Sequence, residues 1–281
     1  MPPQEIFRSH PRRWRQFQYV YPVISRRSRG LSIGINLNPD ARCNFNCLYC
    51  CADRSTPRPH VPIDLAVLDA ELRQLVAEWT RLFEEPEFRS VPREFRRLND
   101  IAFSGDGEPT MVPAFPGAVR IAVAVREQYA PADAKIIIIT NACYLTRPSV
   151  VEALELLDQH RGEIWAKLDV GTDQYHRLVN RGNVPLERIL DGLLVTARRR
   201  PIVIQSLFMR VDGDPPPAAE IDAYVERLRW LMTKGAQISL VQVYSVARRT
   251  ADPRVAPLPE AELEAIAARV RAMGLPVAVF A

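Results

Sequence analysis

The chain has 281 residues, of which 47% are hydrophobic, and its formal net charge at pH 7 is +4. This length and apolar content allow one domain of barrel size with a large buried core. No apolar run approaches the roughly 18 residues of a membrane-spanning helix, so we expect no membrane contact. The first residues lack the apolar stretch of a secretory signal, and the sequence therefore predicts a reducing, cytoplasmic location.

The N-terminal segment 1–30 is strongly basic. It contains seven arginines and a single acidic residue, Glu5. A basic arm of this kind predicts contact with a phosphate-rich partner, for which transfer RNA is the candidate. The alternative is a solvated arm in an arginine-rich protein. We treat the arm as separate from a catalytic domain at 31–281.

Beyond the arm, β-branched runs alternate with amphipathic helical stretches. The runs predict strands at 31–37, 100–105, 135–140, 164–170, 201–208, 237–244 and 276–280. The stretches predict helices at 62–83, 114–129, 148–159, 173–180, 185–199, 217–233 and 259–273, with a surface insertion at about 84–100. This alternation predicts a parallel α/β fold. Periodicity alone does not choose between a barrel and an open sheet.

The cysteines are concentrated in one loop, because four of the five lie between Cys43 and Cys51. Cys43, Cys47 and Cys50 form a C-x3-C-x2-C pattern after the first predicted strand. In a reducing compartment this pattern indicates a metal rather than disulfides. Three thiolates can hold three irons of a [4Fe-4S] cluster and leave one iron open, whereas a structural zinc site needs four ligands. Cys51 and Cys143 are expected to be ordinary free thiols.

A glycine-rich stretch, 103–111, follows the second predicted strand. Its glycines would let a ligand approach the backbone closely, and Glu108 could accept a hydrogen bond from an ammonium group. A plain glycine-rich turn is the alternative. Asn141 follows the third strand, where it either binds a ligand or caps a turn.

Charged and amide side chains mark the later strands. Lys167 and Asp169 alternate onto one face of the fourth strand, where they form either a structural ion pair or a ligand site. Gln205 and Gln242 interrupt apolar strands, and either could face a ligand. His176 is expected to pack against a helix or lie at the surface rather than to carry protons.

The stretch CNFNCLYC (43–50), with an aromatic residue before its last cysteine, resembles the cluster loop of the radical S-adenosylmethionine (SAM) superfamily. The resemblance implies that Cys43, Cys47 and Cys50 bind a [4Fe-4S] cluster and that Tyr49 packs near the adenine of SAM. In that superfamily SAM chelates the open iron and is cleaved reductively to a 5′-deoxyadenosyl radical, which abstracts hydrogen from a substrate.

The same resemblance assigns further cofactor contacts. FSGDGEPTM (103–111) is similar to the Gly-Gly-Glu element that binds the SAM amino group, and TNACYL (140–145) to a Thr-Asn-Gly step with Ala142 in the glycine position. The implied cofactor-binding residues are Ser104, Gly105, Gly107, Glu108, Asn141 and Gln205. Lys167 and Asp169 are the candidate catalytic residues, placed beside SAM or the substrate. The implied fold is an incomplete parallel (β/α)6 barrel of the TIM type, with the cluster near its first strand.

Within the superfamily, residues 21–50 and the stretches FSGDGEPT, KLDVGT and VNRG resemble the tRNA wyosine-base (4-demethylwyosine) synthase group. No cysteine precedes Cys43, so the resemblance implies a single-cluster relative that acts on a modified tRNA base or a small molecule. An electron donor such as flavodoxin or ferredoxin is implied as a partner. Two alternatives remain, namely an activase of glycyl radical enzymes and a non-enzymatic iron–sulfur module for electron transfer or sensing.

Overall fold

The computed structural model describes residues 12–56, 58–248 and 250–281. The strands within these ranges are β1 Val20–Ser25, β2 Gly30–Ile35, β3 Leu98–Phe103, β4 Lys135–Thr140, β5 Gly162–Lys167, β6 Ile202–Leu207, β7 Met209–Val211, β8 Ile238–Tyr244, β9 Val255–Pro257 and β10 Val277–Phe280. The α-helices are α1 Leu65–Ala77, α2 Phe115–Tyr129, α3 Pro148–Asp158, α4 Asp173–Val179, α5 Leu186–Arg199, α6 Ala218–Thr233 and α7 Glu260–Arg271. Short 3₁₀ helices span Trp79–Glu84, Arg93–Phe95 and Pro109–Met111. No helix in this part of the chain has the length and apolar content of a membrane span.

The main sheet has eight strands in the order β1-β2-β3-β4-β5-β6-β8-β10, and β7 pairs with β9 in a second sheet. The pairs β2–β3, β3–β4, β5–β6, β6–β8 and β8–β10 are parallel, and β1–β2 is antiparallel. Parallel strands that follow one another in chain order, with helices between them, are typical of the incomplete barrel. The predicted fold class is confirmed. The sheet exceeds the six expected strands, because β10 joins it and β1 was not predicted.

The chain divides into two compact units. The first comprises Met1–Arg42, Arg54–Ile139 and Pro148–Glu163. In it, β2 is buried along its whole length, and Phe103 at the end of β3 meets Phe115 of α2 edge to face, with ring centroids 5.5 Å apart. Asp64 caps α1 by accepting from the backbone N–H groups of Ala66 and Val67. This cap explains why the helix begins later than predicted.

The second unit comprises Cys43–Asp53, Thr140–Arg147 and Ile164–Ala281. Here β6 is buried at every residue, and the rings of Phe208 and Tyr224 pack edge to face with centroids 5.1 Å apart. Thr172 caps α4 by accepting from the backbone N–H of Tyr175 at 3.1 Å. Glu220 of α6 accepts from the backbone N–H of Gly171 at 2.5 Å, which fixes the turn that follows β5.

Part of the basic segment 1–30 is packed against the first unit and is not a solvated arm. Residues 1–11, including Arg8, lie outside the described residues. The buried Glu71 carboxylate of α1 accepts hydrogen bonds from the backbone N–H groups of Gln18, Tyr19 and Val20, at 2.7, 2.9 and 3.2 Å. These bonds lead the chain into β1, so residues 18–25 belong to the packed first unit.

Two further boundaries differ from the predictions. The helix predicted to end at residue 83 ends at Ala77 and continues as the 3₁₀ helix Trp79–Glu84. Segment 84–100 is mostly exposed, but it buries Phe88 and Val91, and its last residues already belong to β3. The ring of Phe88 packs against Trp14 with centroids 5.8 Å apart, which ties this segment to the N-terminal residues of the same unit.

Candidate active site

The cysteine loop, residues 43–50, carries Cys43, Cys47 and Cys50, and each of these residues is partly exposed. Two backbone N–H groups point at sulfur: Phe45 donates to Cys43 Sγ at 3.4 Å, and Ala52 donates to Cys50 Sγ at 3.4 Å. Hydrogen bonds of this kind support thiolate sulfur in metal and iron–sulfur sites. The predicted ligands therefore lie on one loop whose first and last cysteines both accept from the backbone.

The C-terminal end of α4 holds the backbone of the cysteine loop. Leu48 donates its N–H to the Val179 carbonyl at 2.8 Å, and Asn46 donates to the Asn180 carbonyl at 3.2 Å. The last carbonyls of a helix have no partner within it and are free to accept such bonds. The end of α4 thus holds the loop backbone in place through these two hydrogen bonds.

Side chains complete this docking. The Phe45 ring meets His176 of α4 edge to face, with centroids 5.4 Å apart. A Cβ on Gly182 would collide with the Phe45 ring, so glycine is needed for this close approach. His176 is buried, which agrees with its predicted packing role.

Asp169 lies just beyond β5 and is 4% exposed. Its Oδ2 accepts from the Tyr49 hydroxyl, and from Asn180 Nδ2 at 2.8 Å. Its Oδ1 accepts from the backbone N–H of Leu207 at 2.9 Å. The carboxylate therefore connects the cysteine loop, the residue after α4 and the end of β6.

Tyr49 and Lys167 flank this carboxylate. Burial and the neighbouring Asp169 raise the pKa of Tyr49 well above its ordinary value, so its hydroxyl stays a donor. Lys167 Nζ lies 5.3 Å from the Tyr49 ring centroid, within reach of a cation–π interaction. Desolvation acts to lower the pKa of Lys167, but the acidic groups nearby, chiefly Cys47, Tyr244 and Asp169, outweigh it and the pKa is raised. A cation thus sits beside the cysteine loop.

Burial raises the pKa of the Cys47 thiol to about 11, although Lys167 opposes the shift. A thiol of this kind keeps its proton at neutral pH until a metal replaces it, which couples metal binding to proton release. Of the other two cysteines, Cys51 is exposed. Cys143, three residues after the end of β4, is partly exposed.

Asn141 forms a bridge between two loops of the second unit. Its Nδ2 donates to Asn44 Oδ1 at 2.8 Å, and its Oδ1 accepts from the backbone N–H of Cys143 at 3.2 Å. Ala142 adopts a φ of +66°, the left-handed region that favours glycine, at the position where the family pattern has glycine. Asn141 thus caps a turn, and its amide also contacts the cysteine loop.

A small cleft is lined by Asn141, Lys167, Asp169 and Asn180, among others. The structure therefore brings three of the predicted site residues to one place. Gln205 is fully buried on β6 and donates from Nε2 to Gln242 Oε1 at 2.8 Å. Within the described ranges, its Oε1 is a buried acceptor with no hydrogen-bond partner.

The glycine-rich loop belongs to the first unit. Ser104 accepts from the Tyr21 hydroxyl through its backbone carbonyl at 2.9 Å. A Cβ on Gly105 would collide with Asn36, and one on Gly107 would collide with the Arg42 carbonyl. The space beside each of these glycines is therefore too small for a side chain, which explains why glycine stands at both positions.

Glu108 is buried at the start of the 3₁₀ helix Pro109–Met111. Its Oε1 accepts from the backbone N–H of Thr110 at 3.1 Å and from the Thr110 hydroxyl at 2.5 Å. Next to it, Asn36 Nδ2 donates to Asp106 Oδ2 at 2.9 Å, and Arg54 donates to the Asp106 carbonyl at 2.6 Å. The loop is therefore held by a dense set of polar contacts within its own unit.

The residues present fit an iron–sulfur cluster in their donor chemistry. Three thiols share one short loop, two of them accept backbone N–H groups, and Lys167 adds positive charge beside them. In the part of the chain that the structure describes, no three Cys, His, Asp or Glu side chains are arranged to hold a single metal ion. A four-iron cluster asks for one thiolate on each of three irons instead.

Sequence reasoning missed the part that Asn180 plays in this site. Its side chain contacts both Asp169 and Cys47, with Nδ2 3.9 Å from the sulfur. The available signal was the VNRG step, in which an amide stands at the last residue of the helix predicted at 173–180. The hydrogen bond from the Tyr49 hydroxyl to Asp169 was likewise not predicted.

Comparisons with known proteins identify the family of the chain. The family model described as the Radical SAM superfamily matches residues 37–214. A curated relative, the UPF0026 protein MJ1312 of Methanocaldococcus jannaschii, is 29% identical over 182 residues. That alignment covers 62% of this chain and 47% of the relative, so the chain spans about half the length of the protein it matches.

Solved structures share the fold. SuiB of Streptococcus suis bound to S-adenosylmethionine has a TM-score of 0.60 at 15% identity, over 91% of this chain and 52% of that one. A radical SAM methyltransferase from Sphaerobacter thermophilus has a TM-score of 0.61 at 14% identity, over 93% and 68%. TYW1 with a lysine-pyruvate adduct has a TM-score of 0.53 at 16% identity, over 87% and 74%.

The family match includes the cysteine loop, the glycine-rich loop and the residues around Asp169. It spans more than half of the chain, and the fold agrees with it. The chain belongs to the radical SAM superfamily of enzymes.

Proposed function

We propose that the chain is a radical SAM enzyme in which Cys43, Cys47 and Cys50 hold a [4Fe-4S] cluster and SAM binds its open iron. When bound, the reduced cluster supplies the electron that cleaves SAM to a 5′-deoxyadenosyl radical, which takes hydrogen from the substrate. The observation that carries the proposal is the cysteine loop itself, which lies within the family match and accepts backbone N–H groups at sulfur. A reducing cytoplasm is the compartment that suits these thiols.

The chain's own residues would bind and orient SAM. We assign its amino group to the loop of Ser104, Gly105, Gly107 and Glu108, by resemblance to the family element. Asn141 and Gln205 are proposed as further contacts, and the buried acceptor Oε1 of Gln205 supports a hydrogen-bonded ligand there. Lys167 and Asp169 are proposed to act next to SAM or the substrate, where the ammonium would hold an anionic group.

The proposed substrate is a modified tRNA base or a small molecule, with flavodoxin or ferredoxin as electron donor. Resemblance to the wyosine-base group and the basic segment 1–30 support the tRNA choice, since phosphate contacts dominate RNA affinity. Within that segment, Arg12 already pairs with Asp106 at 3.4 Å, and Arg15 pairs with Glu85.

The deciding experiment measures 5′-deoxyadenosine released from SAM by protein reconstituted anaerobically with iron and sulfide and reduced with dithionite. We expect release by the native protein, and loss of both bound iron and release in Cys43→Ala, Cys47→Ala and Cys50→Ala. Cys51→Ala is the matched control and should keep both, because this thiol is exposed and outside the pattern. A native protein that holds a full cluster and cleaves no SAM would contradict the proposal.

Two further measurements refine it. Glu108→Ala should keep its iron and bind SAM about tenfold more weakly, as expected for one lost charge-assisted hydrogen bond; the exposed Glu87→Ala is its control. Release of 5′-deoxyadenosine with and without tRNA tests the substrate. Stimulation by tRNA supports a tRNA base, dependence on a protein partner would indicate an activase, and a cluster spectrum indifferent to SAM would indicate an electron-transfer or sensing module.

A further inference from the structure

Asn180 joins the cysteine loop to the buried carboxylate through a single side chain. It follows α4 directly and is 3% exposed. Its Nδ2 lies 2.8 Å from Asp169 Oδ2 and 3.9 Å from Cys47 Sγ. An amide nitrogen carries two hydrogens, and carboxylate and sulfur both accept, so one hydrogen is available to each.

The other side of the amide lies against His176. Asn180 Oδ1 lies 3.0 Å from His176 Nδ1, and His176 Nε2 lies 2.9 Å from the Val184 carbonyl. A carbonyl only accepts, so Nε2 carries a hydrogen and the imidazole is anchored at that end. With the Asn180 nitrogen committed to two acceptors, its oxygen must face the imidazole. The orientation of the amide is therefore set by the two acceptors at its nitrogen, because an imidazole whose hydrogen lies on Nε2 gives the amide oxygen no hydrogen bond from Nδ1.

The backbone of Asn180 takes part in the same junction, since its carbonyl accepts from the N–H of Asn46 at 3.2 Å. Because Asn46 precedes Cys47, one residue holds this part of the loop through both its main chain and its side chain. We propose that Asn180 is the positioning residue of the site: it orients Cys47 and Asp169 and tunes the reduction potential of the cluster that Cys47 would bind. This inference rests on the proposed function.

The direction of the effect follows from charge. Reduction adds negative charge to a cluster and its sulfur ligands, and an N–H group pointing at such a sulfur stabilises the reduced state more than the oxidised one. Removal of the Asn180 amide should therefore make the cluster harder to reduce. A role limited to packing would leave the potential unchanged.

The test compares Asn180→Ala with Asn183→Ala, an exposed asparagine three residues along the same segment. Both proteins are reconstituted with iron and sulfide and titrated with dithionite under electron paramagnetic resonance. At a fixed solution potential, we expect the ratio of reduced to oxidised cluster to fall about fivefold in Asn180→Ala, the factor that one hydrogen bond typically contributes. Asn183→Ala should match the native protein.

A second variant, His176→Phe, leaves Asn180 in place and keeps a ring against Phe45. It should shift the ratio in the same direction by a smaller factor, and it replaces Asn180→Ala if that variant folds poorly. Hydrogen exchange at the amides of residues 46 and 48 in the metal-free proteins reports whether the loop stays docked. Continued protection together with a shifted ratio supports the proposal.

An unchanged ratio in both Asn180→Ala and His176→Phe would overturn it, whether or not the loop stays docked. That outcome differs from failure of the proposed function, which would appear in the native protein as an inability to retain iron or to respond to SAM.

Discussion

Two aspartates of this molecule are almost completely buried and yet differ in their surroundings. Asp169, 4% exposed, accepts hydrogen bonds from Tyr49, Asn180 and the backbone of Leu207. Asp100 of β3, 1% exposed, accepts at Oδ1 from the Ser32 hydroxyl. Within the described residues, its Oδ2 is a buried atom with no hydrogen-bond partner, and burial raises the pKa of Asp100 to about 6.

The difference shows that burial alone does not mark a functional carboxylate. A buried charge is tolerated when the protein supplies donors in place of water, and it costs free energy when the protein does not. The donors of Asp169 come from the cysteine loop, the residue after α4 and β6, all of which belong to the candidate active site. The donor of Asp100 is its neighbour on β2, with Ser32 and Asp100 in register.

The largest expected effect comes from Asp169→Ala, which removes the acceptor of three buried donors. We expect the free energy of unfolding of the metal-free protein to fall by about 3–5 kcal/mol, because each unpaired buried donor costs about 1–3 kcal/mol. Urea denaturation measures it, with the exposed Asp191→Ala as control. A loss below about 1 kcal/mol would mean that the donors find other partners.

In contrast, Asp100→Asn should raise the free energy of unfolding at neutral pH. The pKa of Asp100 is raised from 3.8 to about 6, so the folded state keeps a proton that the unfolded state loses, and stability falls as pH rises from about 4 to 6. Above pH 6 the buried carboxylate is ionised, and by linkage it lowers the free energy of unfolding by up to about 3 kcal/mol. The unpaired amide of asparagine offsets part of it, and we expect a net gain of about 1–2 kcal/mol at pH 7.

The check for Asp100→Asn is urea denaturation of both proteins at pH 4 and pH 7. The gain should be present at pH 7 and absent at pH 4, which is so close to the ordinary pKa of 3.8 that most of the linkage cost has disappeared. An equal effect at the two pH values would contradict a charged, poorly solvated carboxylate at this position.

Tyr49→Phe sharpens the comparison by removing one donor of Asp169 and leaving the other two. We expect a destabilisation of about 1 kcal/mol, the usual net contribution of one hydrogen bond, without loss of bound iron from the reconstituted protein. Denaturation and iron content measure the two effects, and the half-exposed Tyr129→Phe is the control. Loss of iron in Tyr49→Phe would show that the hydroxyl also shapes the cysteine loop.

The smallest expected effect is that of Ser32→Ala, which removes the hydroxyl donor of Asp100. The pKa of Asp100 should rise further, and the loss of stability should be about 0.5–1 kcal/mol larger at pH 7 than at pH 4. Denaturation at the two pH values gives this difference directly. A pH-independent loss would assign the hydroxyl to packing alone.

Much of the fold could be predicted because local patterns of apolar and polar residues indicate its strands and helices. The run KIIIIT became β4 at the predicted residues, and α2, α3, α5 and α6 begin and end within one residue of their predicted bounds. Strand β1 was missed, because Pro22 interrupts its pattern and seven arginines surround it in the sequence. The three-residue strands β7 and β9 are too short to leave a periodic signal.

In the candidate active site, sequence reasoning could name individual reactive side chains but not the residues that contact them. Lys167 and Asp169 could be named because charged side chains at a strand end require partners. Their partners could not, since Asn180 and Tyr49 reach Asp169 across 11 and 120 residues of sequence. The glycines of the 103–111 loop could be named as well, but not the collisions with Asn36 and Arg42 that explain them.

Pro22 has a consequence for the behaviour of the protein at high concentration. Within the described residues, β1 stands at the end of the strand order, is buried at five of its six residues, and places Pro22 opposite Ile33 of β2. An exposed strand edge normally invites a strand of another molecule, and proline interrupts that pairing because it has no N–H to donate. The residue that hid β1 from sequence reasoning thus also removes a backbone N–H that pairing with a further strand would use.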